Sequence, residues 1–456
     1  MPERRLTLQT HLAGGAWHDA AALVVANDAL GIRSPTALDY ETGYFVEHGS
    51  MDFADDRPVT DARALSVRHP LDLAGVRLET WPPFLLDLLP QGHARRRLAT
   101  ELGFNPDDAT FELPLLLRGA GGPIGNIRVK EAWEEERQRI DGMSVTGVTT
   151  EQVFVRDPAF AHLAETFALI ASGSSGAQGE WPKILMTEAE DGLWYPDPVI
   201  EDGRARDHAI VKMSRAKFSE DRQILKAEAP YLEVAREFGL RVGEPLAYRN
   251  DTLMIPRFDR RVGNEGVVRL GQESLVSAAG VAEFGFVTTH EHYLRTIMEV
   301  CTDPVPELIE YVLREVLASA MGDTDNHGRN TALQKHLDGR IALTPLFDFA
   351  PMTLSPDGMA RSSTWECLRG GGAWADYRIV AEAVGEIAGD EQVADRLRAE
   401  LGARAETVRT LPEIARRHGV EEEVIERGLR YAGDVADALR AAAPAPVATP
   451  SPSMKF

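Results

Sequence analysis

Three side chains in the C-terminal half of the chain have the types and the spacing for phosphoryl transfer. Asp325 and Asn330 stand five positions apart in GDTDNHGRN (322–330), and Asp348 follows an apolar segment in LFDFA (346–350). This chemistry asks few groups of a protein. One carboxylate takes or orients the proton of the accepting hydroxyl, while an amide oxygen and a second carboxylate hold Mg²⁺ against the phosphates. Kinases place the first carboxylate and the asparagine five residues apart on a loop, and the metal carboxylate after the next hairpin. Asp325 is therefore the candidate base, and Asn330 and Asp348 are the candidate Mg²⁺ ligands, with Ala350 where glycine usually stands. The bland alternative is that these Asp and Asn residues only form turns and cap helices.

Upstream, the apolar stretch Asp207–Met213 predicts a strand that carries Lys212 near its end, a point charge able to reach nucleotide phosphates. A strand-end lysine is by itself more often simply solvated. The next predicted helix, Asp221–Phe238, changes that weighting. Its apolar face holds Ile224, Leu225, Leu232 and Ala235, and Glu228 falls on the same face, four residues from Ile224 and from Leu232. A carboxylate on a buried face needs a partner, and Lys212 is the candidate. Such a strand-lysine to helix-glutamate pair is the other half of a kinase site. A third feature is SGSSGAQGE (172–180), whose small residues would let backbone N–H groups approach a phosphate. It is neither a Walker loop nor a dinucleotide turn, and a plain surface loop fits it equally well.

These groups need elements to hold them. An amphipathic helix is predicted over Glu307–Ala320, just before the Asp325 loop, and Ile341–Leu343 is the apolar segment before Asp348. A strand, Lys183–Thr187, is expected after the glycine loop and another strand before it. Short strands are expected at Leu23–Ala26 and Tyr44–Val46. WPPFLLDLLPQGHARRRLATELG (81–103) predicts a helix pair, and 114–129 a helix end, a glycine turn and a strand. The charged stretch 131–152 predicts an exposed connection. Residues 290–440 are mostly helical in pattern, and the Ala/Pro/Ser-rich end predicts disorder. Strands first and helices later give an α+β chain in two lobes.

With 456 residues the chain exceeds one hydrophobic core, and its net charge of -22 argues against general nucleic-acid binding. The two cysteines, Cys301 and Cys367, are too few for a disulfide framework and fit a reducing cytoplasm. No run of apolar residues is long enough to predict a membrane span, and the N-terminus shows no signal peptide.

Taken in order, the motifs SGSSGAQGE (172–180), HAIVK (208–212), KAEAPYLEVAREFGLRVGEP (226–245), MIPRFDRR (254–261), GDTDNHGRNTAL (322–333) and LTPLFDFAPM (343–352) resemble the HipA-type serine/threonine kinase toxins of bacterial toxin–antitoxin systems, closest to the YjjJ branch. LLDLLPQG (85–92) and GGPIGNIRV (121–129) extend the resemblance into an N-terminal subdomain. It implies a bilobal protein-kinase-like (HipA-like) fold. Residues 1–130 would form the N-terminal subdomain, 131–254 a β-rich N-lobe, 255–438 a helical C-lobe and 439–456 a disordered tail.

For the site, the resemblance implies Asp325 as base, and His327 and Asn330 facing ATP. Lys212 would lie on the phosphates beside Glu228, and Asn330 and Asp348 on Mg²⁺. Ser174, Ser175, Gly176, Ala177, Gln178, Gly179 and Glu180 would make the phosphate loop, and Pro256, Arg257 and Phe258 the hinge that receives adenine. Family members phosphorylate a serine in this loop; Gly173 stands at that position here, which leaves Ser172, Ser174 and Ser175 as autophosphorylation candidates. The better-known members phosphorylate aminoacyl-tRNA synthetases and are neutralised by a DNA-binding antitoxin, so a protein substrate and an antitoxin partner are implied.

Small-molecule and lipid kinases share the Asp325, His327, Asn330 pattern, so that alternative stays open. A nucleotide-binding module without catalysis, and a metal hydrolase built on Asp323, Asp325 and His327, are alternatives of other classes. His208, His290, Trp181 and Trp194 are expected to be structural. The stretch through Ser355, Ser362, Ser363 and Thr364 fits an activation loop or a surface loop.

Overall fold

Apolar side chains line the inner face of β1 (Arg4–His11) and β2 (Trp17–Val25), which pair antiparallel with Leu6 opposite Leu23. With β3 (Thr36–Tyr40), β4 (Val76–Leu78) and β5 (Ile127–Val129) they make a sheet of order β4-β3-β2-β1-β5. Leu8, Leu23, Leu38, Trp81, Phe84 and Leu115 are buried in one cluster against it. The computed structural model describes residues 3–12, 15–49, 58–171, 181–215, 217–263, 266–358, 361–369 and 376–444.

Three sequence expectations are corrected here. Tyr44–Val46 is not a strand but the middle of helix α1 (Thr42–His48); Tyr44 packs inward while Val46 is exposed, and three apolar residues are too few to separate a period of two from one of 3.6. A short 3₁₀ turn (Pro83–Leu88) precedes α2 (Gly92–Leu102), and α3 (Glu112–Gly119) follows. The charged stretch after β5 is not an exposed connection. It forms α4 (Lys130–Ile140), which buries Ala132, Glu136 and Ile140 at four-residue steps, and then α5 (Thr150–Phe154). The segment before the glycine loop is helix α6 (Pro158–Ala171), because Phe160, Leu163 and Phe167 recur at helical spacing and are buried.

A second sheet, of order β7-β6-β8-β10-β9, is built from β6 (Lys183–Ala189), β7 (Trp194–Pro196), β8 (Ala205–Met213), β9 (Ala247–Arg249) and β10 (Thr252–Pro256). Helix α7 (Ser219–Phe238) packs beside it and runs through Pro230 to a left-handed Gly239. A hairpin, β11 (Arg260–Gly263) and β12 (Gly266–Arg269), leads into β13 (Gly271–Ser274) and the single turn α8 (Leu275–Ala278).

The C-terminal part is helical around its own apolar core. β14 (Thr288–Thr289) leads into α9 (His290–Val300), and α10 (Pro304–Met321) is buried on most of its faces. β15 (Ala332–Lys335) pairs with both β13 and β16 (Ile341–Leu343). β17 (Ser363–Thr364) lies parallel to β14, so this part of the stretch after Asp348 is held in a two-stranded sheet. Five helices, α11 (Tyr377–Ala388), α12 (Glu391–Arg409), α13 (Leu411–Arg417), α14 (Glu422–Gly428) and α15 (Ala432–Ala442), close the fold.

The segment between α1 and β4 is tied to this body by buried charge. Lys335 Nζ donates to the carbonyls of Ala64 (3.0 Å) and Leu65 (3.1 Å), while Glu273 accepts from Ser66 Oγ (2.6 Å) and Val67 N–H (3.0 Å). No helix among the described residues is long and apolar enough to cross a membrane. The fold is the bilobal, kinase-like α+β arrangement expected from the sequence.

Candidate active site

The inward-facing positions of β8 carry Lys212 into the interior, where it pairs in register with Lys183 of β6 and Leu253 of β10. Helical periodicity brings Glu228 of α7 to meet it: Lys212 Nζ lies 2.6 Å from Glu228 Oε2. The two side chains are 4% and 2% exposed, so neither charge has water as a substitute partner. The same ammonium lies 2.7 Å from Asp348 Oδ1, and Lys183 Nζ is 3.9 Å from Asp348 Oδ2. Burial alone would depress the Lys212 ammonium, but Asp348 and Glu228 outweigh it and hold its pKa above the ordinary lysine value. Burial would likewise raise Asp348, yet Lys212 and Lys183 keep its carboxyl well below the usual range. Asp348 holds a left-handed backbone, φ 52°, which a non-glycine residue adopts at a cost; that turn aims its carboxylate at the two lysines.

The Asp325 loop starts where α10 stops at Gly322, φ 71°. The loop then ties itself together. Asp325 N–H donates to Asp323 Oδ1 (3.1 Å), His327 N–H to Asp325 O (2.8 Å), and Asn330 N–H to His327 O (2.8 Å). Asn330 Nδ2 donates to Asp325 O (2.9 Å), which leaves its Oδ1 as the atom a cation would meet. His327 Nδ1 accepts from the N–H groups of Arg329 and Asn330, and its Nε2 lies 3.6 Å from Asp325 Oδ1. Burial, with the negative charge of Asp348 second, pushes the Asp325 carboxyl up to about 7 against the pull of Lys212 and Lys183. Burial raises Asp323 as well and lowers His327.

A cleft between the two lobes joins these groups. Its lining is partly apolar, with Ile124, Ile210, Leu246, Ile255 and Leu346, and partly polar, with Lys183, Lys212, Glu228, Asn330 and Asp348. Pro256, Arg257 and Phe258 border it. Arg257 does so through its backbone, since its guanidinium is buried on Asp259 (2.9 and 2.6 Å) and its N–H donates to His208 O (3.0 Å). On the far side of Lys212 and Asp348 a second hollow holds Asp325 and His327 and is walled by Gln91, Gly92, Phe284 and Phe286.

The structure thus brings together Lys212, Glu228, Asp325, His327, Asn330 and Asp348. The glycine-rich segment, with Ser172, Ser174, Ser175, Gly176, Ala177, Gln178, Gly179 and Glu180, lies outside the described residues. Lys183 was not foreseen as part of the site. Its signal was its place at the start of the strand after the glycine loop, opposite Lys212. Arg329 was also missed, although it lies between His327 and Asn330 and lines both hollows. His208, within hydrogen-bond reach of Thr187 and Asp197, and His290, against Tyr311, are buried, as are Trp181 and Trp194, but Trp181 also lines the second hollow, its ring centroid 5.6 Å from Lys212 Nζ. Cys301 and Cys367 are free thiols.

A family model described as the HipA-like C-terminal domain matches residues 174–415. Among solved structures, the chain is similar in fold to HipA of Shewanella oneidensis MR-1, determined with HipB and operator DNA, with a TM-score of 0.58, 15% identity and 96% of each chain covered. A proinflammatory kinase of Helicobacter pylori, CtkA, gives a TM-score of 0.31 and 13% identity over 51% of this chain and 92% of its own, too distant to argue from. No curated protein sequence matches the chain.

Proposed function

The chain belongs to the family of the HipA-like C-terminal domain, and from that premise we propose that it is a serine/threonine kinase that transfers the γ-phosphoryl group of ATP to a protein. The observation that carries this is the meeting of Lys212, Glu228 and Asp348 within hydrogen-bond distance, at the junction of a half-apolar cleft with the hollow that holds Asp325. The apolar part of the lining suits a purine base, and the lysines suit phosphates.

The candidate metal ligands, Asn330 Oδ1 and the Asp348 carboxylate, are all oxygen, which fits Mg²⁺. Bound there, the ion would neutralise charge on the phosphates. The chain's own work is positioning and electrostatics. Lys212, pinned by Glu228, keeps its charge and offers it to the phosphate oxygens. Asp325, poised near neutrality, takes the proton of the acceptor hydroxyl. His327 holds the loop turn through its Nδ1 and faces Asp325 with Nε2.

By kinship we further assign the protein a toxin's role in the cytoplasm, with a DNA-binding antitoxin as partner. The Shewanella HipA was determined with such a companion, HipB, and DNA. Co-purification with the product of the adjacent gene tests the partnership, and its absence removes that assignment.

The kinase itself is tested with purified protein, Mg²⁺ and γ-labelled ATP, wild type beside Asp325→Ala, read by mass spectrometry. Label on protein, on Ser172, Ser174 or Ser175 or on added lysate proteins, in wild type only, is the expected result. Label on small acceptors alone would instead make it a small-molecule kinase, and ATP binding with no transfer would make it a binding module.

A further inference from the structure

Asp87 lies in LLDLLPQG, outside the matched residues 174–415, yet its carboxylate sits against the Asp325 loop. Its Oδ1 accepts from Arg329 Nη1 at 2.7 Å, across 242 residues of chain. The same carboxylate accepts from Ser274 Oγ (2.7 Å) and Ser274 N–H (2.9 Å). Ser274 caps α8, and the first N–H groups of that turn hold the loop at two more points: Leu275 N–H donates to Thr331 O (2.9 Å) and Val276 N–H to Gly328 O (3.3 Å). The three anchors bracket Asn330, whose neighbours in sequence are Arg329 and Thr331. Arg329 is 8% exposed and Asp87 15%, so the pair is shielded from screening.

We propose that Asp87 is a positioning residue: through Arg329 and the α8 cap, the N-terminal subdomain sets the register of the loop that carries Asp325 and Asn330. The inference rests on the kinase reading above. A carboxylate that grips one guanidinium and one helix cap fixes both the side and the height of the loop. A displacement of about 1 Å in such a loop costs on the order of 10²-fold in rate.

The test uses the full chain with Mg²⁺ and γ-labelled ATP, measuring turnover of ATP, AMP-PNP affinity and thermal midpoint. The variants are Asp87→Asn, Arg329→Gln, Arg329→Lys and the double variant Asp87→Asn/Arg329→Gln. Each neutralising single variant is expected to lower kcat by about 10–100-fold while KM for ATP stays within about threefold. The double variant should lose less than the product of the single losses, by about tenfold, because both act through one contact. Arg329→Lys, which keeps the charge, should recover part of what Arg329→Gln loses. Losses that multiply in the double variant, a kcat unchanged in Asp87→Asn, or a fall in kcat that only tracks a fall in thermal midpoint would overturn the proposal. A wild type that binds AMP-PNP but turns over no ATP overturns the kinase reading and this inference together, whereas an active wild type with an indifferent Asp87→Asn overturns this inference alone.

Discussion

Lys212 Nζ lies 2.7 Å from Asp348 Oδ1, so one part-buried ion pair joins the sheet of the N-lobe to the segment that follows β16 in the C-lobe. Glu228 shares the same ammonium, which makes Lys212 the cation between two carboxylates. Lys212→Met strands both, with Lys183 as the remaining nearby cation. A loss of about 3–5 kcal/mol is expected, the cost of breaking a buried pair from one side. Glu228→Gln leaves the Lys212–Asp348 pair intact and should cost clearly less. Urea unfolding of the two variants at neutral pH compares them, and equal losses would contradict the shared-cation geometry.

Asp348 combines a left-handed backbone with a carboxyl that Lys212 and Lys183 hold well below the usual range against its burial. Asparagine tolerates that backbone better than alanine does. Both Asp348→Asn and Asp348→Ala lose the charge that pairs with Lys212 and Lys183 and should lower the thermal midpoint, Asp348→Asn less than Asp348→Ala, while phosphoryl transfer is lost in both. Stabilisation by Mg²⁺ with AMP-PNP, about 2.7 kcal/mol for wild type at a hundredfold excess over Kd, should shrink in either variant.

Glu136 gives a pH dependence away from the site. It is buried on α4, and neither carboxylate oxygen has a hydrogen-bond partner among the described residues. Burial pushes its carboxyl up to about 8, with Asp197 adding to the rise and Arg139, Arg128 and Arg118 opposing it. Between the ordinary glutamate range and about pH 8 the folded state therefore holds a proton that the unfolded state has released. Stability is full at the acid end of that window and falls as pH rises through it, by up to about 1.4 kcal/mol per pH unit from this group. Glu136→Gln should remove this part of the slope and be more stable than wild type at pH 8. Denaturant midpoints across pH 5–9 are the measurement; parallel curves for the two proteins would refute the assignment.

Gly328 leaves no room for a side chain. A Cβ there would lie 2.1 Å from the hydroxyl of Tyr293 and 2.3 Å from its ring, and Tyr293 is itself buried. Gly328→Ala should push the loop away from Val276 N–H, which its carbonyl accepts, and lower both thermal midpoint and turnover. Gly285→Ala is a control for glycine loss in the same hollow, because open space surrounds its Cβ position, although its φ of 70° adds backbone strain. Turnover equal in wild type and Gly328→Ala would show that the contact yields freely.

Much of this site is legible in the order and spacing of its residues. Glu228 stood out because helical spacing placed a carboxylate between Ile224 and Leu232 on a buried face, and burial obliges a charge to find a partner. Asp325, Asn330 and Asp348 stood out because a short loop and the next strand set their separations along the chain. Such rules act within one element or between neighbours. Lys183 joined Asp348 only when β6 paired with β8, and Asp87 met Arg329 across 242 residues, a distance over which no periodicity carries information. The misassigned segments divide the same way. In α4 a four-residue recurrence of buried positions, and in α6 a three- and four-residue one, is present in the sequence, whereas the short apolar run in α1 fits a strand or a helix until the sheet beneath it decides which face is covered. Residue type and periodicity set which groups could do the chemistry and how each element would present them. Tertiary structure alone decided which charges share a partner, because that depends on how separate elements pack, and packing is settled by the whole core at once.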